Sequence, residues 1–432
     1  MEMMSAVRPL ETFVPPRAAG QRDVLSLALP PMPLLHVAFV GVGARGRMAV
    51  TRWCHIPKVE IAAVCDVSKG VAEEVARHVE QLGKPRPKVY WGETAYKELC
   101  QQQGVNLVYV CTDWMSHVPI AIHAMELGRS VAVEVPAALT LKDIWTLIDT
   151  AEQTRQHCMM LENAVYDRFE MAVCQMVREG LLGELVHVEG GYAHPIGDRW
   201  TPWRMEYSRL NAGDVYPTHS IGPICRLLDI HRTDRMHYLT AMQTNAFLGI
   251  EMYQAVMGKA CDSFANGDQT STMIRTVKGK TMLIQHNVMT PRPYSRMFQA
   301  VGTAGYAAKY PVPEVLLRPE MAAKVGIEME DNNLPLNASQ IETLLNYYAP
   351  SFPSETIALA KELDARGGMS YFMDLRLAQC LQQGLPLDMD VYDLAEWCCI
   401  AELSKRSIEQ GSMPVMIPDF VNRRSSVDME SI

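Results

Sequence analysis

From His36 to Leu161, short apolar and β-branched runs alternate with longer stretches whose apolar residues recur at helical spacing. The pattern predicts strands at His36–Val40, Val59–Cys65, Leu107–Cys111, Ser130–Val133 and His157–Leu161. Between them it predicts helices at Arg45–His55, Lys69–Leu82, Thr94–Gln103, His117–Leu127 and Leu141–Gln156. Parallel strands need crossover connections, and right-handed crossovers put helices on both faces of the sheet. The expected class is therefore α/β, with an N-terminal Rossmann-type, doubly wound parallel sheet. After a helix at Asp167–Leu182 the character changes: strands at Leu185–Tyr192, Arg235–Met242, Ser271–Val277 and Lys280–Asn287 follow with few helices between them. Lys278-Gly279 is a hairpin turn signal between the last two. Such a run predicts a C-terminal α+β domain with a mainly antiparallel sheet. Helices return at Gln340–Tyr347, Ser354–Asp364, Tyr371–Gln383 and Asp393–Glu409. The expected division is a Pro-rich leader over 1–33, a Rossmann domain over 34–163, an α+β domain over 164–423 and a flexible tail over 424–432, with fraying from Pro418 onward.

Composition narrows the class of partner. With 40 Lys and Arg against 49 Asp and Glu, the 432-residue chain carries a net charge of −9. Nucleic acids and anionic membranes are recognised by basic surfaces, so neither is an expected partner. Eleven scattered cysteines, two of them adjacent at Cys398 and Cys399, argue for a reducing compartment rather than a disulfide framework. Val24–Leu35 is interrupted by Pro30, Pro31 and Pro33, and no apolar run reaches the roughly eighteen residues of a membrane span. The expectation is a soluble, cytoplasmic protein, with a removed export signal left open. There is no H-E-x-x-H, no C-x-x-C and no carboxylate set at metal-ligand spacing, so no metal is expected.

One motif carries recognisable chemistry. Gly41-Val42-Gly43-Ala44-Arg45-Gly46 directly follows the first strand and opens a helix. In such a G-x-G-x-x-G the first glycine makes the tight turn, the second lets backbone approach a pyrophosphate, and the third lets helix and strand pack closely. The diphosphate then meets the unpaired N–H groups of the helix N-terminus. Asp66 ends the second strand, 20 positions beyond Gly46. A carboxylate there accepts hydrogen bonds from ribose hydroxyls and repels a 2′-phosphate, which favours NAD over NADP.

Gly41–Gly46, Asp66 and Glu134-Val135-Pro136 resemble the Gfo/Idh/MocA oxidoreductases, in which the tripeptide is usually Glu-Lys-Pro. The lysine of those dehydrogenases assists proton transfer, and Val135 can do no such thing. Further segments, including Met160-Leu161-Glu162-Asn163, Tyr216-Pro217-Thr218-His219, Arg292-Pro293-Tyr294-Ser295 and Gly384–Asp390, are similar to glycoside hydrolase family 109, NAD-dependent α-N-acetylgalactosaminidases of the same fold. The resemblance, from about Gln21 to about Arg423, implies cofactor contacts at Gly41, Gly43, Ala44, Arg45, Gly46, Asp66, Trp114, His117, Glu134, Val135 and Asn163. It implies substrate contacts at Tyr192, Arg204, Tyr216, Pro217, Thr218, His219 and Tyr294. Ala44 replaces a usual Met, and the stretch from Tyr192 to Tyr216, with Pro195-Ile196-Gly197-Asp198, is shorter than in the family type.

The implied activity is a glycoside hydrolysis that recycles NAD: transient oxidation at C3, deprotonation at C2, elimination of the C1 group, water addition and re-reduction. His219, which opens a helix, is the candidate for the O3 proton because imidazole titrates nearest working pH. Tyr192 is the candidate base at C2, flanked by Gly190 and Gly191 so that backbone can approach a ligand. Its phenol, with an ordinary pKa of about 10, needs a cation such as Arg204 or the nicotinamide beside it. Glu162 is either a substrate ligand or a support for Asn163. Competing expectations are an NAD-dependent sugar or polyol dehydrogenase and a catalytically silent NAD-binding sensor. The expected partner is a small glycoside, with a homo-oligomer through the C-terminal sheet as a further expectation.

Overall fold

The computed structural model describes residues 8–328 and 334–423, so the tail expected over 424–432 lies outside the described residues. Contacts divide the chain into two compact units, one of Arg17–Asp167 with Phe352–Cys398, the other of Met1–Pro16, Arg168–Ser351 and Cys399–Ile432.

The first unit is built on six parallel strands, β1 (Leu35–Val40), β2 (Val59–Asp66), β3 (Lys88–Trp91), β4 (Leu107–Val110), β5 (Ser130–Val133) and β6 (Cys158–Met160). Their order is β3-β2-β1-β4-β5-β6, the doubly wound order of a dinucleotide fold. β1, β4 and β5 are apolar along nearly their whole length because both faces are covered by helices. β3 was not among the expected strands. It is four residues long, follows Pro85 and Pro87, and sits at the edge, where one buried position is too little to make a periodic signal.

Segment 352–398 belongs with this sheet although it lies about two hundred residues downstream, because it is fastened by buried polar bonds. Arg52 Nε donates to Asp374 Oδ2 at 2.7 Å, and the Tyr109 hydroxyl donates to Asp374 Oδ1 at 2.9 Å. Removing one partner would strand a charge in the interior, a loss far larger than the net value of the pair. The leader is held as well at Arg17 and Val24. Arg17 makes two bonds to the buried Glu152, and Val24 N–H donates to the Tyr392 hydroxyl at 3.0 Å.

The second unit centres on eight strands: β7 (Leu185–Ala193), β8 (Met236–Gln243), β9 (Thr270–Thr276), β10 (Thr281–Asn287), β11 (Gln299–Gly302), β12 (Gly305–Ala308), β13 (Glu314–Leu317) and β14 (Val415–Met416). The order is β13-β12-β11-β7-β10-β9-β8-β14, and only the β7–β10 pair is parallel. Helix Thr218–Leu228 lies against β7 so closely that a Cβ on Gly190 would stand 1.9 Å from the Ser220 carbonyl oxygen. Pro418–Arg423 does not fray as expected: Phe420 is fully buried, and Asp419 accepts from Arg235 at 2.5 Å. A buried aromatic ring and a part-buried ion pair outweigh the polar composition of that stretch.

No helix of the described residues is long and apolar enough to cross a membrane. All eleven cysteines are free thiols.

Candidate functional site

The nucleotide-side residues all lie at the carboxyl ends of the parallel strands, where ligands bind in open α/β sheets. Gly41 has φ +81°, and a Cβ there would stand 2.8 Å from the Cys111 backbone. A Cβ on Gly46 would stand 2.0 Å from the Gly41 carbonyl oxygen, so both glycines serve the turn itself. Gly43 differs, because its Cβ would meet nothing within 4 Å. It is the N-cap of helix Ala44–Cys54, whose first turn has no side-chain acceptor and no acidic residue. That leaves open space and unpaired N–H groups for an anion.

Asp66 Oδ2 accepts from Val42 N–H and Oδ1 from Ser68 N–H, each at 3.0 Å. These bonds hold the carboxylate at the rim of the turn, and each oxygen keeps a second lone pair for a ribose hydroxyl. Arg45 Nε donates to Glu134 Oε1 at 2.7 Å, and that carboxylate raises the guanidinium above its ordinary value. Ala44 is exposed beside this pair, whereas Val135 and Trp114 are buried. His117 is buried with Nδ1 2.9 Å from the Pro136 carbonyl and Nε2 3.1 Å from that of Thr112. Burial lowers its imidazole below the ordinary value, against two carbonyls that favour a second proton. Its ring therefore braces the Thr112 and Pro136 loops. Asn163 Nδ2 donates to Ser370 at 2.8 Å, while its buried Oδ1 has no partner among the described residues. An open cradle, spare carboxylate lone pairs and an idle amide oxygen fit a dinucleotide.

Glu162 is fully buried and accepts from Ala164 N–H at 3.0 Å, capping the short helix Asn163–Tyr166. It belongs to the nucleotide-side unit, and its bond to the turn shows it shaping the backbone around Asn163.

Tyr192, Tyr216 and His219, three of the residues expected to contact substrate, come together at the end of β7. The Tyr192 ring packs 5.2 Å from Tyr216, 5.1 Å from His219 and 4.8 Å from His194, measured between centroids. His286, opposite Tyr192 in the β7–β10 register, stacks on it at 6.4 Å. The Tyr216 hydroxyl is 3.4 Å from His219 Nε2. Pro217 is the N-cap of helix Thr218–Leu228, and Thr218 is fully buried with Oγ1 lacking a partner among the described residues. Tyr294 is 39% exposed at the edge of the cluster, 5.6 Å from the His194 ring. Its hydroxyl accepts from Arg296 Nη1 at 2.9 Å, and Arg296 is paired with buried Glu170.

The connection after Tyr192 packs against it. Thr201 caps helix Pro202–Leu210, Pro202 takes its first turn, and Trp200 and Met205 pack into the same cluster as Tyr192. Arg204 stands beside Met205 with its guanidinium 5.1 Å over the Trp203 ring. The rings that pack on Tyr192 include two other kinds of proton-carrying group, imidazoles and a second phenol.

The glycines beside Tyr192 also differ from expectation. Gly190 admits the backbone of helix Thr218–Leu228, and a Cβ on Gly191 would stand 2.7 Å from Met297 Sδ. Both make room for packing inside the protein rather than for a ligand. Sequence patterns also passed over His194, His286 and Asp214. Burial holds the His286 imidazole down to about 4, with His194 adding to it, so it is neutral at physiological pH. Strand alternation marks such positions only as inward, which does not separate a site wall from a core.

A doubly wound sheet with a dinucleotide cradle, followed by a mixed sheet with a phenol and imidazole cluster, defines an oxidoreductase-type, NAD-binding enzyme. Residues 35–162 match the oxidoreductase family with an NAD-binding Rossmann fold, and residues 197–426 match the C-terminal domain of glycosyl hydrolase 109. Glycosyl hydrolase family 109 protein 1 of Bacteroides fragilis is 50% identical over 428 residues, covering 96% of this chain and 91% of the relative. The corresponding protein of Bacteroides thetaiotaomicron is 48% identical, covering 95% and 90%. The chain belongs to glycosyl hydrolase family 109, and at the level of that family it is an NAD-dependent glycosidase. Among solved structures it resembles levoglucosan dehydrogenase in complex with NADH and L-sorbose, at TM-score 0.68 and 16% identity over 90% of this chain and 100% of that one. Myo-inositol dehydrogenase of Lactobacillus casei, in complex with NAD(H) and myo-inositol, matches at TM-score 0.61 and 16% identity over 90% and 99%. At such identities the likeness is one of fold.

Proposed function

We propose that the protein cleaves α-N-acetylgalactosaminides or closely related glycosides by elimination and water addition, without net consumption of NAD. The observation that carries this reading is the Tyr192, Tyr216 and His219 cluster, which offers two kinds of proton carrier side by side. Gly41, Gly43, Ala44, Arg45, Gly46, Asp66, Trp114, His117, Glu134, Val135 and Asn163 would hold the cofactor. NAD, when bound, supplies reversible oxidation at the sugar C3.

His219 handles the O3 proton, with Tyr216 orienting it through the hydroxyl at Nε2. A ketone at C3 acidifies the neighbouring C2–H, and Tyr192 removes that proton as the C1 substituent leaves. Water then adds at C1, and Tyr192 returns a proton to C2. Arg204, Pro217, Thr218 and Tyr294 hold the sugar, and Glu162 acts by fixing Asn163. Val135, apolar and buried, offers no proton at the position where family dehydrogenases carry lysine, which disfavours simple alcohol dehydrogenation. Turnover of a substrate deuterated at C2 tests the route: the label should wash out into solvent and slow the release of the leaving group. Full retention of the label in the product would overturn it.

A further inference from the structure

The turn that delivers Tyr216 and His219 is held from beneath by a carboxyl that the mechanism does not use. Asp214 is 1% exposed. Its Oδ1 accepts from the Tyr216 N–H at 3.2 Å, and its own N–H donates to Ser404 Oγ at 2.9 Å. Its Oδ2 is enclosed and has no partner among the described residues. The preceding residue is clamped as well. Gly213 N–H donates to Gln243 at 2.9 Å, and its carbonyl accepts from Asn266 at 2.7 Å and Thr270 at 3.2 Å. Gly213 has φ +88°, with Ser404 Oγ 2.6 Å from the place of a Cβ, so the chain cannot tilt there to relieve Asp214.

Among the described residues an ionised carboxylate in this position would be a buried charge with one side-chain hydrogen bond and no paired cation, which a folded protein does not tolerate cheaply. The charged groups on the elements around it are engaged elsewhere. Lys405, beside Ser404, donates to Asn211 and pairs with Glu409, and Asp268, beyond Asn266, accepts from the Leu248 N–H. His219, five residues on, is turned to the Tyr216 hydroxyl.

We propose that Asp214 is a positioning residue for the Tyr216–His219 turn and that it works as a neutral, proton-bearing carboxyl. In that form Oδ1 holds the Tyr216 N–H, and with it the hydroxyl that faces His219, while Oδ2 carries the proton. Loss of the proton charges a site with nothing to compensate it, and the turn must shift to admit water. Burial, opposed only by the Tyr216 bond, holds the carboxyl up to about 7, so this loss falls in the working range. The idea rests on the proposed reaction for its kinetic consequence and stands apart from it in its structural one.

The experiment compares the full-length wild type with Asp214→Asn and Asp214→Ala. Infrared difference spectra of wild type against Asp214→Asn at pH 6 should show the carbonyl stretch of a protonated carboxyl; a carboxylate signal instead would overturn the proposal whether or not the protein is active. With p-nitrophenyl α-N-acetylgalactosaminide, the wild-type kcat should fall as pH rises through 7, and Asp214→Asn, which keeps an acceptor for Tyr216 and cannot ionise, should lose most of that fall. Asp214→Ala should lower kcat by about tenfold to a hundredfold with a smaller change in KM, since misplacement of a reacting group acts on the chemical step. An alkaline limb identical in wild type and Asp214→Asn would also overturn it. Wild-type inactivity on every glycoside would count against the proposed reaction and leave the infrared result to decide the role of Asp214.

Discussion

Tyr216 and His219 face one another across the start of a helix, hydroxyl to Nε2 at 3.4 Å, with Pro217 as the N-cap between them. The pair sets an imidazole, which can both give and take a proton, beside a phenol hydroxyl that can donate to it or accept from it. His219→Ala should lower turnover of p-nitrophenyl α-N-acetylgalactosaminide by about a hundredfold or more, the scale of general acid–base catalysis, and Tyr216→Phe by less. NAD affinity, followed by fluorescence titration, should be unchanged in His219→Ala. Wild-type turnover in that variant would refute the assignment.

The second and third roles of the glycine fingerprint can be separated by substitution. Gly43→Val leaves the fold intact because nothing lies within 4 Å of the new Cβ, yet it should weaken NAD binding by filling the cradle. Gly46→Ala has the opposite profile. Its Cβ would stand 2.0 Å from the Gly41 carbonyl, so the melting temperature should fall along with affinity. Calorimetric titration with NAD and thermal unfolding of both variants check the contrast.

Gly191 lies beside the candidate base Tyr192 and serves packing against Met297. Gly191→Ala should destabilise the protein by about 1–3 kcal/mol through overpacking. Adding Met297→Ala should recover part of the loss, because the clash is with that side chain. A double-mutant cycle in urea measures the coupling, and simple additivity would contradict the packing role.

The fold was legible where the chain repeats a signal. Five strands and five helices of the first unit follow from alternation of β-branched runs with helical spacing, and the turn at Gly41–Gly46 adds a physical marker. Elements too short to hold a period were not legible: β3, β11, β12 and β13 have four residues each. The site was legible through motifs, since Tyr216-Pro217-Thr218-His219 is contiguous. His286 joins it through strand register, while His194 and Asp214 stand two residues from Tyr192 and Tyr216 with no residue pattern to mark them as part of it. Glycine next to an aromatic residue proved ambiguous, because the atoms that require it, Ser220 O and Met297 Sδ, come from distant parts of the sequence.

Asp214 also predicts how stability depends on pH. Its carboxyl is held up to about 7 in the folded state, against about 4 in the unfolded chain. Between those values the folded state binds the extra proton, so its contribution to stability is full below about pH 4 and is lost as pH rises toward 7. Three units correspond to about 4 kcal/mol as an upper bound. Chemical denaturation from pH 5 to 8 should show a downward slope in wild type that Asp214→Asn lacks. A slope retained in Asp214→Asn would assign it to other groups.

The central claim is that oxidation at the sugar is transient and leaves no net change in the cofactor. Purified protein should be incubated with p-nitrophenyl α-N-acetylgalactosaminide and NAD while phenolate release and NADH absorbance are followed together. The account predicts many equivalents of phenolate per enzyme with no accumulation of NADH. NADH formed in proportion to sugar consumed, without phenolate, would contradict it and identify a dehydrogenase instead.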